Sequence, residues 1–159
     1  MKYSYKILNT REVKDILEEL KEHFGMEADI KDAFIEGGDG KIYIISRKLG
    51  EIDQSKLRIN NLGLYFCKRE KGGLRPTIEG SQLINPTKNV FEMDEKQRDE
   101  WMEGKDLETG ERDLHSFVII KYKNDFYGSG TYKDGRIWNM VPKERRIVEG
   151  AKAVLEGNE

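Results

Sequence analysis

Residues 117–141 read FVIIKYKNDFYGSGTYKDGRIWNMV, and this stretch decides the fold class. Phe117-Val118-Ile119-Ile120 is a short continuous apolar run, the pattern of a buried strand. Asp125 to Tyr132 is a second strand, bent or closely approached at Gly128 and Gly130, because glycine inside a strand leaves room for another backbone or ring. Asp134-Gly135 is the strongest hairpin signal in the chain, and Ile137-Trp138-Asn139-Met140-Val141 returns from it. The second half of the chain therefore reads as mainly β.

Working back from this stretch, the pattern resets near Asn85-Pro86-Thr87, and a boundary there divides the chain into residues 1–85 and 86–159. Asp94 caps an expected helix from Glu95 to Glu103, ended by Gly104. The first half opens with a helix from Thr10 to Phe24, with Thr10 as N-cap and Gly25 past its end. Val13, Ile16, Leu17, Leu20 and Phe24 recur at helical spacing along one face. Ala33–Glu36 and Lys41–Ser46 flank Gly37-Gly38-Asp39-Gly40 as a hairpin. The apolar run Leu62–Cys67 continues to Lys71, turns at Gly72-Gly73 and returns through Leu74–Ile78. Pro76 lacks an N–H for a ladder and makes this an edge or irregular strand. The tail from Ile147 to Leu155 suits a short helix. The fold class is α+β, an α/β unit followed by a β unit.

The chain has 159 residues, of which 36% are charged, and a net charge of -2. It is a folded protein with a heavily charged surface, and its total charge alone does not argue for nucleic acid. Cys67 is the single cysteine, so an intrachain disulfide or a thiolate zinc cluster is excluded. No apolar run is long enough to span a bilayer, and Met1–Lys6 lacks a signal-peptide core. The expected location is cytoplasmic.

Chemistry has little to stand on. Cys67 ends an apolar run and reads as a small buried hydrophobe. His23 and His115 are isolated, with no third group to orient them as a triad requires. No metal-binding motif is present, and neither Gly37–Gly40 nor Gly128–Gly130 has the setting of a phosphate loop. No catalytic residue, metal or cofactor is expected.

Charge distribution is more informative. Residues 92–113 hold ten acidic residues against four basic ones, a net of -6 that at helical spacing is a solvated face. Residues 121–146 hold seven basic residues against three acidic ones, a net of +4, interleaved with Tyr122, Phe126, Tyr127, Tyr132 and Trp138. Cations neutralise phosphates and rings stack on unpaired bases. A charged outer face of an ordinary sheet would look the same. A second basic cluster, Lys68, Arg69, Lys71 and Arg75, surrounds the Gly72-Gly73 turn. Trp101 reads as core, whereas Trp138 reads equally as core or as a stacking platform.

Several of these strings, taken in order, resemble a known arrangement: residues 41–49, 61–75 and 79–83, then 117–120, 125–130 and 135–139. Together they resemble small ribosome-biogenesis factors built from a pre-PUA domain and a PUA domain. PUA is the fold named after pseudouridine synthases and archaeosine transglycosylases. They are also similar to the PUA-like C-terminal module of bacterial rRNA cytosine methyltransferases. There a glycine strand leads through a glycine turn, an Asn and Pro-Lys to a basic end, here Gly128-Ser-Gly130, Gly135, Asn139, Pro142-Lys143 and Arg145-Arg146. The resemblance implies an α/β pre-PUA domain followed by a PUA-type β-pseudobarrel. It also implies binding of rRNA or pre-rRNA in large-subunit assembly or rRNA modification.

The family's basic contacts match Arg136, Lys143, Arg145 and Arg146. With Lys133 these form the expected RNA site, and the Lys68–Arg75 cluster is a possible second contact. The net negative charge and the intrusion of Glu144 depart from the family. The methyltransferase's catalytic activity is not carried over. The rival expectation is a protein-interaction adaptor docking on an rRNA methyltransferase or pseudouridylation complex.

Overall fold

A computed structural model describes residues 5–45 and 63–147. The first half holds β1 (Tyr5–Ile7), α1 (Thr10–Phe24), β2 (Ala33–Gly37), β3 (Lys41–Ile45), β4 (Leu64–Glu70), β5 (Gly73–Pro76) and α2 (Ile78–Ile84). The second holds β6 (Val90–Glu92), α3 (Glu95–Met102), β7 (Leu107–Glu108), β8 (Phe117–Tyr122), β9 (Asp125–Lys133), β10 (Arg136–Trp138) and a 3-10 turn (Lys143–Arg145). Each half contributes a five-stranded sheet, ordered β1-β2-β3-β4-β5 and β6-β8-β9-β10-β7. The architecture is α+β, with helices and mostly antiparallel sheets.

The stretch at 117–141 lies at the centre of this arrangement. β8 pairs parallel with β6 and antiparallel with β9. Its side chains alternate between two cores. Phe117 and Ile119 join the cluster of Ile16, Leu20, Phe24 and Phe66, while Val118 and Ile120 join Trp101, Leu107 and Ile137. A strand buried on both faces needs apolar residues at every position, which explains the unbroken run. Both turn residues of the β9–β10 hairpin have positive φ, 54° at Asp134 and 73° at Gly135, as a type I′ turn demands.

The helix expected from Thr10 forms, but its N-cap is Asn9. The Asn9 Oδ1 accepts from the Glu12 N–H at 2.9 Å, and Glu12 Oε1 accepts from the Asn9 N–H at 3.1 Å. This reciprocal capping box places Thr10 inside the helix. Gly25 ends it in the left-handed region, and Ile16, Leu20 and Phe24 are buried. The hairpin around Gly37–Gly40 and the edge position of Pro76 are as the sequence predicts.

Helix α2 is a correction. The return strand stops at Pro76, and Thr77 and Ile78 do not extend it. Thr77 caps a helix instead, accepting from the Gly80 N–H at 2.9 Å. Glycine inside seven residues hides the helix from propensity. Its reason is tertiary, because a Cβ on Gly80 would collide with the Phe66 carbonyl oxygen. The acidic stretch 92–113 is likewise not one helical face. It spans β6, α3, β7 and the loop after it, and only Glu95–Met102 is helical, capped by Asp94 as expected. Of the expected closing helix, all but Ile147 lies outside the described residues; the Ile147 N–H donates to the Met102 carbonyl at 2.7 Å.

The halves are joined by buried polar contacts where α2 crosses β9. The Gly128 N–H donates to Ser81 Oγ at 3.0 Å, and Ser129 Oγ donates to the Pro76 carbonyl at 2.7 Å. Gly128 (φ +84°) lies against Ile78, and a Cβ on Gly130 would sit 2.7 Å from the Trp101 ring. The glycine string is therefore a packing device. At the other end, Asn89 Nδ2 donates to the His23 carbonyl at 2.7 Å, and His23 Nε2 lies 2.8 Å from the Phe117 carbonyl.

Candidate nucleic-acid interface

The second-half cations do not form one continuous patch. Lys133 is exposed at the end of β9, next to the hairpin turn. Arg136 stands on β10, ion-paired with Glu108 and 4.0 Å from Asp106. Its guanidinium lies 5.2 Å from the centroid of the Trp138 ring. Trp138 as a residue is 46% exposed, so it lies on the surface and not in the core. Trp101, in contrast, is fully buried, and its Nε1 donates to the Tyr127 carbonyl at 3.0 Å.

Asn139, next to Trp138 in the chain, is a structural keystone. Its Nδ2 donates to the Trp101 and Lys105 carbonyls at 2.8 and 2.9 Å, and its Oδ1 accepts from the Val141 N–H at 2.8 Å. These bonds tie the loop after α3 to the end of β10. Arg146 belongs to the same junction: its Nε donates to the Val141 carbonyl at 3.1 Å, and its side chain covers Gly104. Lys143 and Arg145 are exposed on the 3-10 turn, and Arg145 pairs with Glu79 of α2 at 2.6 Å.

The other predicted cluster divides too. Arg69 makes two bonds to Glu36 across the first sheet, at 3.1 and 3.2 Å. Lys68 lies 3.9 Å from Glu70, and Lys71 is exposed at the turn. Arg75 is largely buried, at 15% side-chain exposure, and donates through Nε and Nη2 to Glu70 Oε1 at 3.2 and 3.1 Å. Arg75 and Arg145, one from each predicted cluster, meet as walls of a single groove of about 380 Å³ between the two halves.

That groove also contains Lys41, Tyr65 and Tyr127. Lys41 Nζ lies 5.5 Å from the centroid of Tyr65. The Tyr65 ring rests on Tyr43 at 5.5 Å, and Tyr43 on Tyr5 at 6.3 Å. Burial pushes the Tyr65 phenol up to about 12. Burial and then the nearby Asp125 carboxylate also raise the Tyr127 phenol. Both hydroxyls are therefore proton donors at neutral pH. Lys41 and Tyr65 escaped the sequence reading because they stand on strands far in sequence from residues 121–146; their only local signal is an outward position on β3 and β4.

Among the described residues, no group of three or more His, Cys, Asp or Glu side chains is placed to hold a metal ion. Cys67 is buried, and desolvation pushes its thiol far above the ordinary range. His115 pairs with Asp113 at 2.9 Å on the surface. No described helix is long and apolar enough to cross a membrane.

Residues 88–147, which hold the second sheet with Trp138, Arg136 and the 3-10 turn, match the family model described as the Methyltransferase RsmF PUA domain. This part of the chain resembles a PUA-like module. More particularly, it is similar to the PUA domain of an rRNA methyltransferase family. Curated relatives include the ribosomal RNA small subunit methyltransferase F of Aeromonas salmonicida, 25% identical over 145 residues. Those of Vibrio cholerae and Aeromonas hydrophila are 23% and 24% identical over the same length. Each alignment covers 90% of this chain and 30% of the relative. The likeness thus extends through the first half as well, and the chain spans about 30% of the length of these relatives.

Proposed function

We propose that this chain is an RNA-binding module acting in rRNA modification or processing, supplying RNA contacts and no catalytic group of its own. The observation that carries this is the PUA-like second half with an exposed Trp138 beneath the Arg136 guanidinium. An exposed indole offers a stacking surface for an unpaired base, and the cations around it offer phosphate contacts. Lys133 and Lys143 are exposed and can reach a phosphodiester backbone, and Arg145 can do so by exchanging its Glu79 partner for a phosphate. Arg146 works instead by holding the loop at Gly104. The first half is the pre-PUA-like unit of residues 1–85, and the module works in the cytoplasm, where bacterial rRNA is modified. The relatives' names concern small-subunit rRNA, which favours that setting over large-subunit assembly.

The test is binding of a fluorescent rRNA fragment across a salt series. Affinity should fall steeply with salt, by about 0.7 log unit per log unit of salt for each single-strand phosphate neutralised. Trp138→Ala should weaken binding with an unchanged slope, and Lys143→Ala plus Arg145→Ala should reduce the slope. A salt-independent interaction, or none, would refute the reading.

The adaptor reading is favoured by one feature. An open depression of about 750 Å³ beside β6 is walled by Phe91, Met93 and Leu114 together with Glu92, Asp94, Glu108 and Asp113. An open, acid-lined depression suits a basic segment of a protein partner. Crosslinking in lysate that recovers proteins without rRNA would support this alternative.

A further inference from the structure

We propose that the groove between the two halves is a slot for one unpaired RNA nucleotide, with the base against the tyrosine walls and its phosphate at Lys41 and Arg75. The inference rests on the RNA-binding reading above and deepens it, because it assigns a nucleotide subsite to a groove that shares Arg145 with the proposed RNA contacts.

Size is the first argument. About 380 Å³ lies within the range of small-ligand sites. It accommodates a single nucleotide and is too small for a duplex. Chemistry is the second. One wall presents Tyr65 of β4 and another Tyr127 of β9, while Ile78, Met140 and Pro142 supply apolar surface. Aromatic walls with an apolar floor suit a planar base, and stacking is the usual way proteins hold unstacked bases.

Charge narrows the ligand further. The lining holds three cations, Lys41, Arg75 and Arg145, and two carboxylates, Glu79 and Glu144. Each cation also has a carboxylate beside it, Asp39 for Lys41, Glu70 for Arg75 and Glu79 for Arg145, and surroundings this close to neutral suit a single phosphodiester and argue against a nucleotide polyphosphate. Arg75 spends two of its five N–H donors on Glu70, leaving others for a phosphate. The carboxylates accept from exocyclic amino groups of a base, and the protonated phenols donate to ring nitrogens and carbonyls.

The slot is also preorganised. Its walls come from both halves, and the buried Ser81–Gly128 and Ser129–Pro76 bonds lock the halves at its base. Tyr65 is held from behind by Tyr43 and Tyr5. A rigid site loses little freedom on binding.

The experiment uses the full chain and three fluorescein-labelled RNA hairpins. One is fully paired, one carries a single bulged adenosine, and one carries an abasic residue at the bulge. The adenosine bulge should bind about tenfold tighter than either other hairpin, in line with one stacked base. Tyr127→Leu and the half-buried-site variant Lys41→Ala should each shrink that preference while leaving affinity for the paired hairpin unchanged. Equal affinity for all three hairpins overturns the slot and leaves RNA binding standing. A preference kept by the abasic bulge, or by both variants, also overturns it. Failure to bind any of the three hairpins overturns both proposals.

Discussion

Gly80→Ala sets helix propensity against packing. Judged as a helical position, alanine in place of glycine gains about 1 kcal/mol. In the fold, the new Cβ would collide with the Phe66 carbonyl oxygen and lie 2.9 Å from its carbon and 3.2 Å from the Phe66 ring. Two of these three atoms are backbone of β4, which is paired on both sides in the first sheet, so no side-chain rotation relieves the clash. Helix α2 must lift away. Overpacking of this kind costs about 1–3 kcal/mol, and lifting α2 strains the Gly128–Ser81 hydrogen bond, for about 1 kcal/mol more. Cost exceeds gain, and the net loss is about 1–3 kcal/mol. Urea unfolding reads it directly. With a slope near 2 kcal/mol/M for a protein of this size, the midpoint should fall by about 1 M with the slope unchanged. A midpoint that stays or rises would show that α2 is not pressed onto β4 as described.

Three further outcomes follow from single contacts. Asn139→Ala removes three hydrogen bonds, taking their side-chain partner from the Lys105 carbonyl and the Val141 N–H, while the Trp101 carbonyl keeps the Gly104 N–H; thermal unfolding should show a loss of about 2–4 kcal/mol, and Asn139→Asp should not restore it, since a carboxylate cannot donate. Tyr65 ionises near 10 when unfolded and at about 12 when folded. A neutral group held neutral by folding contributes stability below the unfolded value and loses it as pH rises, so stability should decline between pH 10 and 12 and Tyr65→Phe should lessen that decline. The Cys67 thiol, buried and protonated, should react with a disulfide reagent only at the rate of unfolding, and rapid modification of native protein would contradict its burial.

Much of the fold was legible because local physics and tertiary packing agree. The α1 stripe, the Gly25 stop, the Asp94 cap, the Asp134-Gly135 turn and the run at 117–120 each carry a local requirement that few residues satisfy. Where the two diverge, the sequence misleads. Helix α2 has poor propensity and exists because it is laid on β4 and β9. The short strands β1, β6 and β7 are defined by neighbours far along the chain and have no periodicity long enough to detect.

The interface divides along the same line. Residue types near 121–146 identified a basic, aromatic segment, and residues 88–147 around it match the RsmF PUA family model. Which of those cations reach solvent was a matter of long-range pairing. Arg136 and Arg145 are met by acids contributed from β7 and α2, and Arg146 is turned onto Gly104. Composition and periodicity report what a segment carries and which side of it is buried. Only the tertiary structure decided that Trp138 is exposed, and only the docking of the two halves through Gly128 and Ser129 decided that Arg75 and Arg145 share one groove. Such placement depends on side chains converging from distant parts of the chain, and no local pattern records that.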